Sequence, residues 1–309
     1  MRPIISVIIP VFNRGWQLER ALKSLSQQSY KHFEVVVCDD GSEEDIALIV
    51  EAYKNYLPAI RLIKISNSGG PAKPRNIAVD AAYAEWLALL DSDDWWDIDK
   101  LSVISNCLGG SHDIIYHQLG VVRECNRLRF GEKRSHIGQK IKSNPIEHMA
   151  LFGNPIPASS VVIKKSLYLH IGGMREDPEF VAVEDFFMWL DAAKAGAKFK
   201  FIEQTLGSYW VGNDSISIIS LSQINAQKKI FDLLTPLIPN STKKLALSCH
   251  HYRLGSMYLK LNDYHCSLSH FKFASSLPTF YLRIGRIVKI SIARAAIIKI
   301  RVLNFINGQ

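Results

Sequence analysis

The first 115 residues alternate continuous apolar runs with segments in which apolar residues recur at helical spacing. A continuous β-branched run such as residues 4–11 predicts a strand that is buried on both faces, as in a parallel sheet. In chain order, the predicted elements are strand 4–11, helix 16–27, strand 33–38, helix 43–53, strand 60–65, helix 71–83 and strand 85–90. Strands that alternate with helices indicate parallel βαβ units, so we predict an α/β sheet with ligands at the carboxyl ends of its strands.

The remainder of the chain divides into a less regular middle and a helical end. The middle contains predicted strands at 112–117, 159–163 and 198–202, a predicted helix at 184–195, and a polar segment at 123–134 that we interpret as a hairpin or a mobile loop. From about residue 220 onward the pattern is wholly helical. We therefore predict an α/β domain over residues 1–215 and a helical extension over residues 216–309.

Composition narrows the class of protein. The chain has 309 residues, of which 48% are apolar and 21% charged, and this balance excludes wholesale disorder. Its five cysteines are scattered without metal-type spacing, so we expect free thiols in a reducing compartment. The first apolar run ends at Pro10 without a cleavage site, and no stretch is long enough to span a bilayer. These features predict a cytoplasmic protein.

The net charge of +8 is concentrated at the end of the chain. After Asp263 there is no acidic residue, and seven basic residues there leave only +1 for the rest of the chain: Lys272, Arg283, Arg286, Lys289, Arg294, Lys299 and Arg301. The basic, apolar tail at 283–306 predicts peripheral attachment to an anionic surface at the inner face of the cell membrane. The alternative is a helix packed on the protein with its cations in solvent. No nucleic-acid-binding motif accompanies the charge, so no nucleic-acid partner is expected.

Polar clusters follow three of the predicted strands directly, at residues 10–14, 39–42 and 91–94. Because the carboxyl ends of parallel strands share one edge, we expect the three clusters to lie together. The third cluster holds three carboxylates within four residues, and a divalent cation such as Mg²⁺ or Mn²⁺ would relieve their repulsion. The alternative is a solvated turn in which Asp94 or Asp97 caps the following helix.

Two further segments suggest ligand binding. In the second cluster, Asp40 is a candidate acceptor for a nucleotide base or ribose, although Asp-Gly-Ser is also an ordinary turn in which Ser42 could cap a helix. The glycine-rich loop at 67–76 opens a predicted helix, where backbone N–H groups and the cations Lys73 and Arg75 could meet a diphosphate. The alternative for this loop is a surface turn with exposed cations.

Glu184 and Asp185 begin a strongly apolar predicted helix. A carboxylate in this position is a candidate general base that takes the proton from an attacking hydroxyl. The alternative is a favourable placement of two acidic residues against the helix dipole.

Taken together and in this order, the clusters resemble the family 2 glycosyltransferases with a GT-A fold. The matching segments are SVIIPVFNR at 6–14, VCDDGSEED at 37–45, NSGGPAKPRN at 67–76, LLDSDDWW at 89–96, GGMREDPEF at 172–180 and VEDFFMWL at 183–190. The resemblance covers about residues 4–215. It implies a Rossmann-like mixed sheet flanked by helices and an inverting, metal-dependent transferase.

The resemblance also implies roles for individual residues. The implied nucleotide-sugar-binding set is Pro10, Phe12, Asn13, Asp40, Arg75, Asp91 and Ser92. Asp93 is the implied ligand of Mn²⁺ or Mg²⁺ together with Asp91. Asp185 matches the catalytic base, with Glu184 beside it. Pro74 stands where the family usually has alanine or glycine, so Arg75 is assigned to the ribose or diphosphate in preference to Lys73.

The implied reaction moves a sugar from a nucleotide-diphosphate sugar to an acceptor hydroxyl. A UDP-sugar is the expected donor, ahead of a GDP- or dTDP-sugar, and the expected setting is bacterial surface polysaccharide or lipopolysaccharide assembly on a glycan or lipid-linked acceptor. Segments 154–160 and 209–215 occupy the positions of the family's acceptor wall and closing segment. Two alternatives stay open, namely a nucleotidyltransferase and a catalytically inactive scaffold with a partner-binding tail.

Residues 248–281 resemble one tetratricopeptide-like helical hairpin. The matching positions are Leu254, Gly255, Tyr258, Phe271 and Ala274, followed by Pro278. A single repeat cannot bury its own core, so it is expected to pack on the catalytic domain or on another subunit.

Overall fold

The computed structural model describes residues 2–123, 135–142, 144–212 and 219–306. The chain divides into two compact units, the first comprising Met1–Lys142 and Asn154–Ile216 and the second Ser143–Gly153 and Ser217–Gln309. Most of the polar segment at 123–134, which the sequence interprets as a hairpin or loop, lies outside the described residues. The second unit therefore includes a short segment from the middle of the chain in addition to the helical end.

A mixed sheet forms the centre of the first unit. Its strands are β1 (Ile5–Val11), β2 (Phe33–Asp39), β3 (Ile60–Lys64), β4 (Trp86–Leu89), β5 (Trp95–Trp96), β6 (Ile114–Arg123), β7 (His136–Ile137), β8 (Val162–Lys164) and β9 (Phe199–Val211). The order across the sheet is β3-β2-β1-β4-β8-β6-β9-β5, and β7 pairs with β6. The first four strands in this order are parallel, whereas β8 runs antiparallel to both β4 and β6.

Helices flank this sheet and form most of the second unit. They are α1 (Gly15–Ser26), α2 (Ile46–Ala52), α3 (Ala72–Ala81), α4 (Lys100–Ser105), α5 (Pro145–Phe152), α6 (Lys165–His170), α7 (Glu184–Lys194), α8 (Leu221–Leu234), α9 (Asn240–Lys260), α10 (Tyr264–Phe273) and α11 (Phe280–Ile306). Of these, α5 and α8 to α11 belong to the second unit.

The apolar pattern of β1, β2 and β4 explains their place at the centre of the sheet. Every residue of these three strands is buried, so neither face of these strands is exposed to solvent. Ile5 of β1 pairs with Phe33 on one side and with Trp86 on the other, in parallel register. The carboxyl ends of the three strands therefore lie at one edge, as predicted, and the clusters at 10–14, 39–42 and 91–94 follow those ends.

Helix α1 covers one face of the sheet with the apolar stripe that its sequence predicts. Leu18, Ala21, Leu22 and Leu25 are fully buried within the core that also contains the side chains of β1 and β2. Burying a leucine side chain contributes about 1.5–3 kcal/mol relative to leaving it in water. The packing of α1 fixes the position of the loop that connects it to β1.

In the second unit, α9 and α10 form a helical hairpin. A Cβ atom at Gly255 would lie 2.8 Å from the Phe271 ring, so the two helices approach closely where glycine faces the aromatic ring. Asp263 caps α10 by accepting a hydrogen bond from the Cys266 N–H at 3.0 Å. Arg253 of α9 donates to the carbonyls of Ala150 and Leu151 at 2.9 and 2.7 Å and so satisfies the carboxyl end of α5.

Helix α11 exposes an apolar face. Ala293 is buried, Arg286 donates to the Phe271 carbonyl, and Lys289 donates to the hydroxyls of Tyr252 and Ser256. Among its described side chains, six large apolar ones are exposed: Ile284, Ile287, Val288, Ile292, Ile298 and Ile300. Among the helices described, none combines the length and the apolar character that crossing a bilayer requires.

Candidate active site

The loops after β1 and β2 are joined by hydrogen bonds around Asn13. The Asn13 N–H donates to Ser42 Oγ at 2.9 Å, and Asn13 Oδ1 accepts from the Glu43 N–H at 2.8 Å. Asn13 adopts a left-handed conformation with φ of 48°, which asparagine tolerates better than most residues. Ser42 does not cap α2, because Asp45 does so by accepting from the Leu48 N–H, and this alternative was therefore wrong.

Asp40 connects the second loop to the glycine-rich loop. It is only 3% exposed, and its Oδ1 accepts a hydrogen bond from the Ser68 N–H at 2.9 Å. Gly41 beside it has φ of 81°, and a Cβ there would lie 2.8 Å from the Asn67 nitrogen. Pro10 is buried at the end of β1, whereas Phe12 is 44% exposed beside this edge and can offer its ring to a ligand.

The acidic turn after β4 is a compact group of carboxylates. Asp91, Asp93 and Asp94 each offer one oxygen, and these oxygens all lie within 4.8 Å of one another. Asp94 is fully buried and accepts from the Trp210 N–H at 2.8 Å, while its Oδ2 has no hydrogen-bond partner among the described residues. The interpretation as a solvated capping turn was wrong, because the residue at the start of α4 is Asp99.

Two arginines contact this turn: Arg14, which directly precedes α1, and Arg20, which lies within α1. Arg14 Nη1 contacts Asp93 Oδ2 at 2.6 Å, and Arg20 Nη2 donates to the Asp93 carbonyl oxygen at 2.6 Å. Burial and the nearby Asp91 raise the pKa of Asp93 to about 6, although Arg14 and Arg20 act in the opposite direction. The turn is therefore stabilised by cations within the protein itself.

Tryptophans surround Arg20. Its guanidinium carbon lies 4.0, 4.7 and 5.1 Å from the ring centroids of Trp95, Trp210 and Trp16. Such cation–π contacts fix the guanidinium and thereby the carbonyl that it holds. The neighbouring Trp96 is buried and donates to the Ser159 carbonyl, so it belongs to the core.

Arg75 of α3 joins the acidic turn to the start of α7. It is 3% exposed, its Nη1 donates to Glu184 Oε1 at 2.8 Å, and its Nη2 pairs with Asp91 Oδ1. Burial opposes the charge, but Asp91 and Glu184 outweigh this effect and raise the pKa of Arg75. Lys73 is exposed, as its alternative interpretation expected.

Asp185 follows Glu184 in the first turn of α7. Its Oδ2 accepts from Asn154 Nδ2 at 3.0 Å and its Oδ1 from the Phe186 N–H at 2.6 Å. Burial and the adjacent Glu184 raise the pKa of Asp185 to about 7, against the effect of Arg75. A carboxylate with this pKa can accept a proton near neutral pH.

A pocket of about 220 Å³ lies between the glycine-rich loop and the segment that leads into α7. It is lined by Ser68, Gly69, Gly70, Pro71, Ala72, Lys73, Arg175, Glu176, Asp177, Pro178, Val181 and Glu184. The loop held by Asp40 and the Glu184 held by Arg75 thus line one cavity. Asp185 and the acidic turn are not among the described residues that line this cavity, although Arg75 links Asp91 to Glu184.

The acidic turn fits a hard divalent cation. Mg²⁺ and Mn²⁺ prefer carboxylate oxygens, and the unpartnered Oδ2 of the buried Asp94 is a polar atom that a cation would satisfy. The sequence analysis counted Asp94 among the three carboxylates of this cluster but named only Asp91 and Asp93 as metal ligands. It also missed Arg14 and Arg20 as partners of the turn, because one chain alone does not show which cations a turn will face.

Comparison with known proteins identifies the family. The model of glycosyl transferase family 2 matches residues 6–159. The amylovoran biosynthesis glycosyltransferase AmsB of Erwinia amylovora is 30% identical over 217 residues, which cover 66% of this chain and 68% of that protein. The fold is that of a glycosyltransferase, and the chain belongs to glycosyl transferase family 2.

Solved structures match the fold over nearly the whole chain. The structure of TarS 1–349 of S. aureus in complex with UDP-GlcNAc has a TM-score of 0.61 and 19% identity, covering 100% of this chain and 93% of that one. The mannosyltransferase PcManGT of Pyrobaculum calidifontis in complex with GDP-Man and Mn²⁺ has a TM-score of 0.60 and 18% identity, covering 97% and 87%. The expected GT-A fold with a C-terminal helical region is confirmed.

Proposed function

We propose that this protein transfers a sugar from a nucleotide-diphosphate sugar to an acceptor hydroxyl with inversion at the anomeric carbon. The observation that supports the proposal is the chain of contacts from Asp91 through Arg75 to Glu184, the residue that directly precedes Asp185. A direct displacement at a glycosyl phosphate needs a base for the attacking hydroxyl and a positive charge for the departing phosphate. Asp185 would be the base, and the acidic turn would hold the divalent cation that supplies the positive charge.

The nucleotide is proposed to lie along the loops after β1 and β2. Pro10, Phe12 and Asn13 would contact the base and ribose, with the exposed Phe12 ring available for stacking. Asp40 would accept a hydrogen bond from the base. Its burial and its contact with the Ser68 N–H hold the carboxylate in one position, which favours recognition of a fixed donor pattern.

The diphosphate end is proposed to lie at Asp91, Ser92 and Asp93. These residues, with Asp94, would hold Mn²⁺ or Mg²⁺, and a bound divalent cation would neutralise the charge that develops on the departing diphosphate. Arg75 is held between Asp91 and Glu184, so we propose that it orients both carboxylates in addition to facing the donor. The PcManGT complex with GDP-Man and Mn²⁺ supports this arrangement by the shared fold.

In the proposed chemical step, Asp185 takes the proton of the acceptor hydroxyl while the hydroxyl oxygen bonds to the anomeric carbon. The bond between that carbon and the phosphate oxygen breaks, and the nucleoside diphosphate leaves with the electron pair. One displacement without a covalent intermediate inverts the anomeric configuration. Asn154 donates to Asp185 and would keep the carboxylate aimed in a single direction.

The biological setting is proposed from the relatives. AmsB is a glycosyltransferase of amylovoran biosynthesis, and TarS of S. aureus is described with UDP-GlcNAc. We therefore propose a role in bacterial surface polysaccharide assembly, with a UDP-sugar as donor and a glycan or lipid-linked acceptor.

The change Asp185→Asn tests the proposed base. It should lower kcat by about 10²- to 10⁴-fold while the affinity for UDP in the presence of Mn²⁺ stays unchanged. The wild-type kcat/KM should rise with pH through about 7, because the base acts only when ionised. The control is Asp80→Asn, the same change at an exposed position on α3. Retention of most transfer activity in Asp185→Asn would contradict the proposal, and so would retention of the donor's anomeric configuration in the product.

We also propose that α11 binds an anionic membrane surface. Its exposed apolar residues recur at helical spacing, and the exposed cations Arg283, Arg294 and Lys299 accompany them. Arg286 is engaged within the protein, where it donates to the Phe271 carbonyl, and the side chain of Arg301 lies outside the described residues. Apolar insertion supported by roughly 1 kcal/mol per basic residue near anionic lipid is the physical basis of the proposal.

The double change Ile287→Gln and Ile292→Gln tests this surface. It should abolish co-sedimentation with vesicles that contain anionic lipid, because both side chains are more than half exposed and available for insertion. The matched control is Leu48→Gln and Leu221→Gln, which replaces exposed apolar residues elsewhere. Co-sedimentation that survives the α11 changes, or that neutral vesicles support equally well, would contradict the proposal.

A further inference from the structure

We propose that Arg14 is an internal counter-ion of Asp93 that a divalent cation must displace, so that metal and nucleotide bind cooperatively. The inference rests on the proposed function, because it takes the acidic turn as the metal site. It concerns a residue that neither the family match nor the sequence assigned to any role.

Arg14 is placed for this role by its position in the chain. It directly precedes α1, and the packed stripe of that helix fixes its backbone. Its Nη1 contacts Asp93 Oδ2 at 2.6 Å, and the two side chains are 13% and 20% exposed. An ion pair with so little exposure is screened by water much less than a surface pair. Arg14 therefore competes effectively with any cation that approaches Asp93.

A metal ion and Arg14 cannot share Asp93 without cost. An ion bound by Asp91, Asp93 and Asp94 would lie among oxygens that are within 4.8 Å of one another, and the guanidinium contacts one of the Asp93 oxygens directly. A divalent cation and a guanidinium that both contact the Asp93 carboxylate would repel each other strongly in a partly buried site. Metal binding is therefore expected to release Arg14 from Asp93.

The nucleotide would supply a new partner for the released arginine. Arg14 follows Asn13 in the loop after β1, where the nucleotide is proposed to bind, and a guanidinium pairs well with phosphate oxygens. Arg14 would then move from a carboxylate to the diphosphate when the metal enters. Competition with Arg14 therefore weakens metal binding at the acidic turn when no nucleotide is present. When the nucleotide is bound, Arg14 pairs with the diphosphate and no longer competes with the metal.

Arg20 provides the internal comparison. It carries the same charge and holds the same residue, but it donates to the Asp93 backbone carbonyl and leaves the carboxylate oxygens open. Its guanidinium is also fixed by Trp95, Trp16 and Trp210. Arg20 can keep its contact when a metal binds, so its removal should not favour metal binding.

The experiment measures Mn²⁺ affinity directly by electron paramagnetic resonance titration, with and without UDP, on the full chain. Arg14→Gln should bind Mn²⁺ alone about tenfold more tightly than the wild type, because the competing cation is gone. The gain in Mn²⁺ affinity on adding UDP should shrink by about tenfold. By linkage, the effect of Mn²⁺ on UDP affinity should shrink by the same factor. Arg20→Gln should not tighten Mn²⁺ binding.

Unchanged or weaker Mn²⁺ binding in Arg14→Gln, with the effect of UDP retained, would overturn the inference. Equal tightening in Arg20→Gln would also overturn it, because the effect would then come from net charge alone. Arg14→Met, which keeps the apolar stem, serves as the second variant, and circular dichroism checks the fold of each. If the wild type binds neither Mn²⁺ nor UDP, the proposed function fails, yet a gain of Mn²⁺ binding in Arg14→Gln would still support the counter-ion.

Discussion

Arg75 is the residue on which the geometry of the site depends most. The sequence marked it as a ligand-binding cation, but the structure buries it between Asp91 and Glu184. A guanidinium suits this place because its fork of donors is rigid and remains charged. Removing it would leave two carboxylates without their shared partner, and a buried carboxylate without a partner costs far more than an exposed one.

The change Arg75→Met should lower the free energy of unfolding by about 3–5 kcal/mol, because it breaks a buried ion network by removing one partner. Chemical denaturation measures this loss. The comparison is Lys54→Met, which breaks an ion pair with Glu51 in which both side chains are more than half exposed, and it should cost at most about 1 kcal/mol. Equal losses in the two variants would show that Arg75 does not have the burial described.

At the scale of elements, the segment before α7 is a strained connection. Ala182 has φ of 69°, a conformation that costs a residue with a Cβ atom about 1–2 kcal/mol. It lies two residues before Glu184, so the backbone that delivers Glu184 and Asp185 is held in a sparsely populated state. Nothing in the apolar pattern of the sequence signals this feature, because alanine is common in ordinary helices and loops.

The change Ala182→Gly tests the strain. It should raise the free energy of unfolding by about 0.5–1 kcal/mol, because relief of the left-handed strain exceeds the entropy that glycine adds to the unfolded chain. The control is Ala195→Gly at the end of α7, where φ is −74° and the same replacement should destabilise. A loss of stability in Ala182→Gly would contradict the account of the backbone.

The sequence predicted the central strands well because each is a short apolar run with buried faces. It predicted β9 as residues 198–202, whereas the strand continues to Val211 through Glu203 and Gln204. Its length is set by pairing with β6 across register shifts, and pairing between distant segments leaves no local pattern. The two-residue β5 was missed for the same reason, since it forms only by pairing with β9.

The part of the candidate site that lies at the shared edge of the sheet could be predicted from the sequence. Parallel pairing alone brings residues 10–14, 39–42 and 91–94 together. The contacts of Arg14 with Asp93 and of Trp210 with Asp94 depend on helix packing and on strand order across the antiparallel half. These contacts could not be predicted, because no residue pattern states which side chain fills a given position between elements.

At the scale of the whole molecule, acid should destabilise the second unit through a buried histidine. In the second unit His250 is buried and stacks on Phe231 with centroids 4.1 Å apart, and burial with nearby Arg253 lowers the pKa of His250 to about 3. The unfolded chain binds a proton at this histidine near pH 6.5, whereas the folded chain does not. Stability from this group is therefore present above pH 6.5 and is lost as the pH falls toward 3.

The change His250→Leu should flatten this acid dependence, because leucine can stay buried beside Phe231 without titrating. Hydrogen exchange of the α8 and α9 amides between pH 7 and 5, corrected for the intrinsic exchange rate, measures the effect. The control His32→Leu changes a histidine that is exposed and should leave the dependence unaltered. A wild-type second unit that is equally protected at both pH values would contradict the prediction.

The cluster of tryptophans around Arg20 has a practical consequence. All six tryptophans of the chain lie at positions that belong to the first unit, and the second unit contains none. Intrinsic fluorescence excited at the indole band therefore reports on the α/β unit alone. Three of the six tryptophans surround Arg20, which holds the acidic turn, so a ligand that binds at this turn should change the tryptophan emission. Changes confined to the helical unit should leave the emission unaltered.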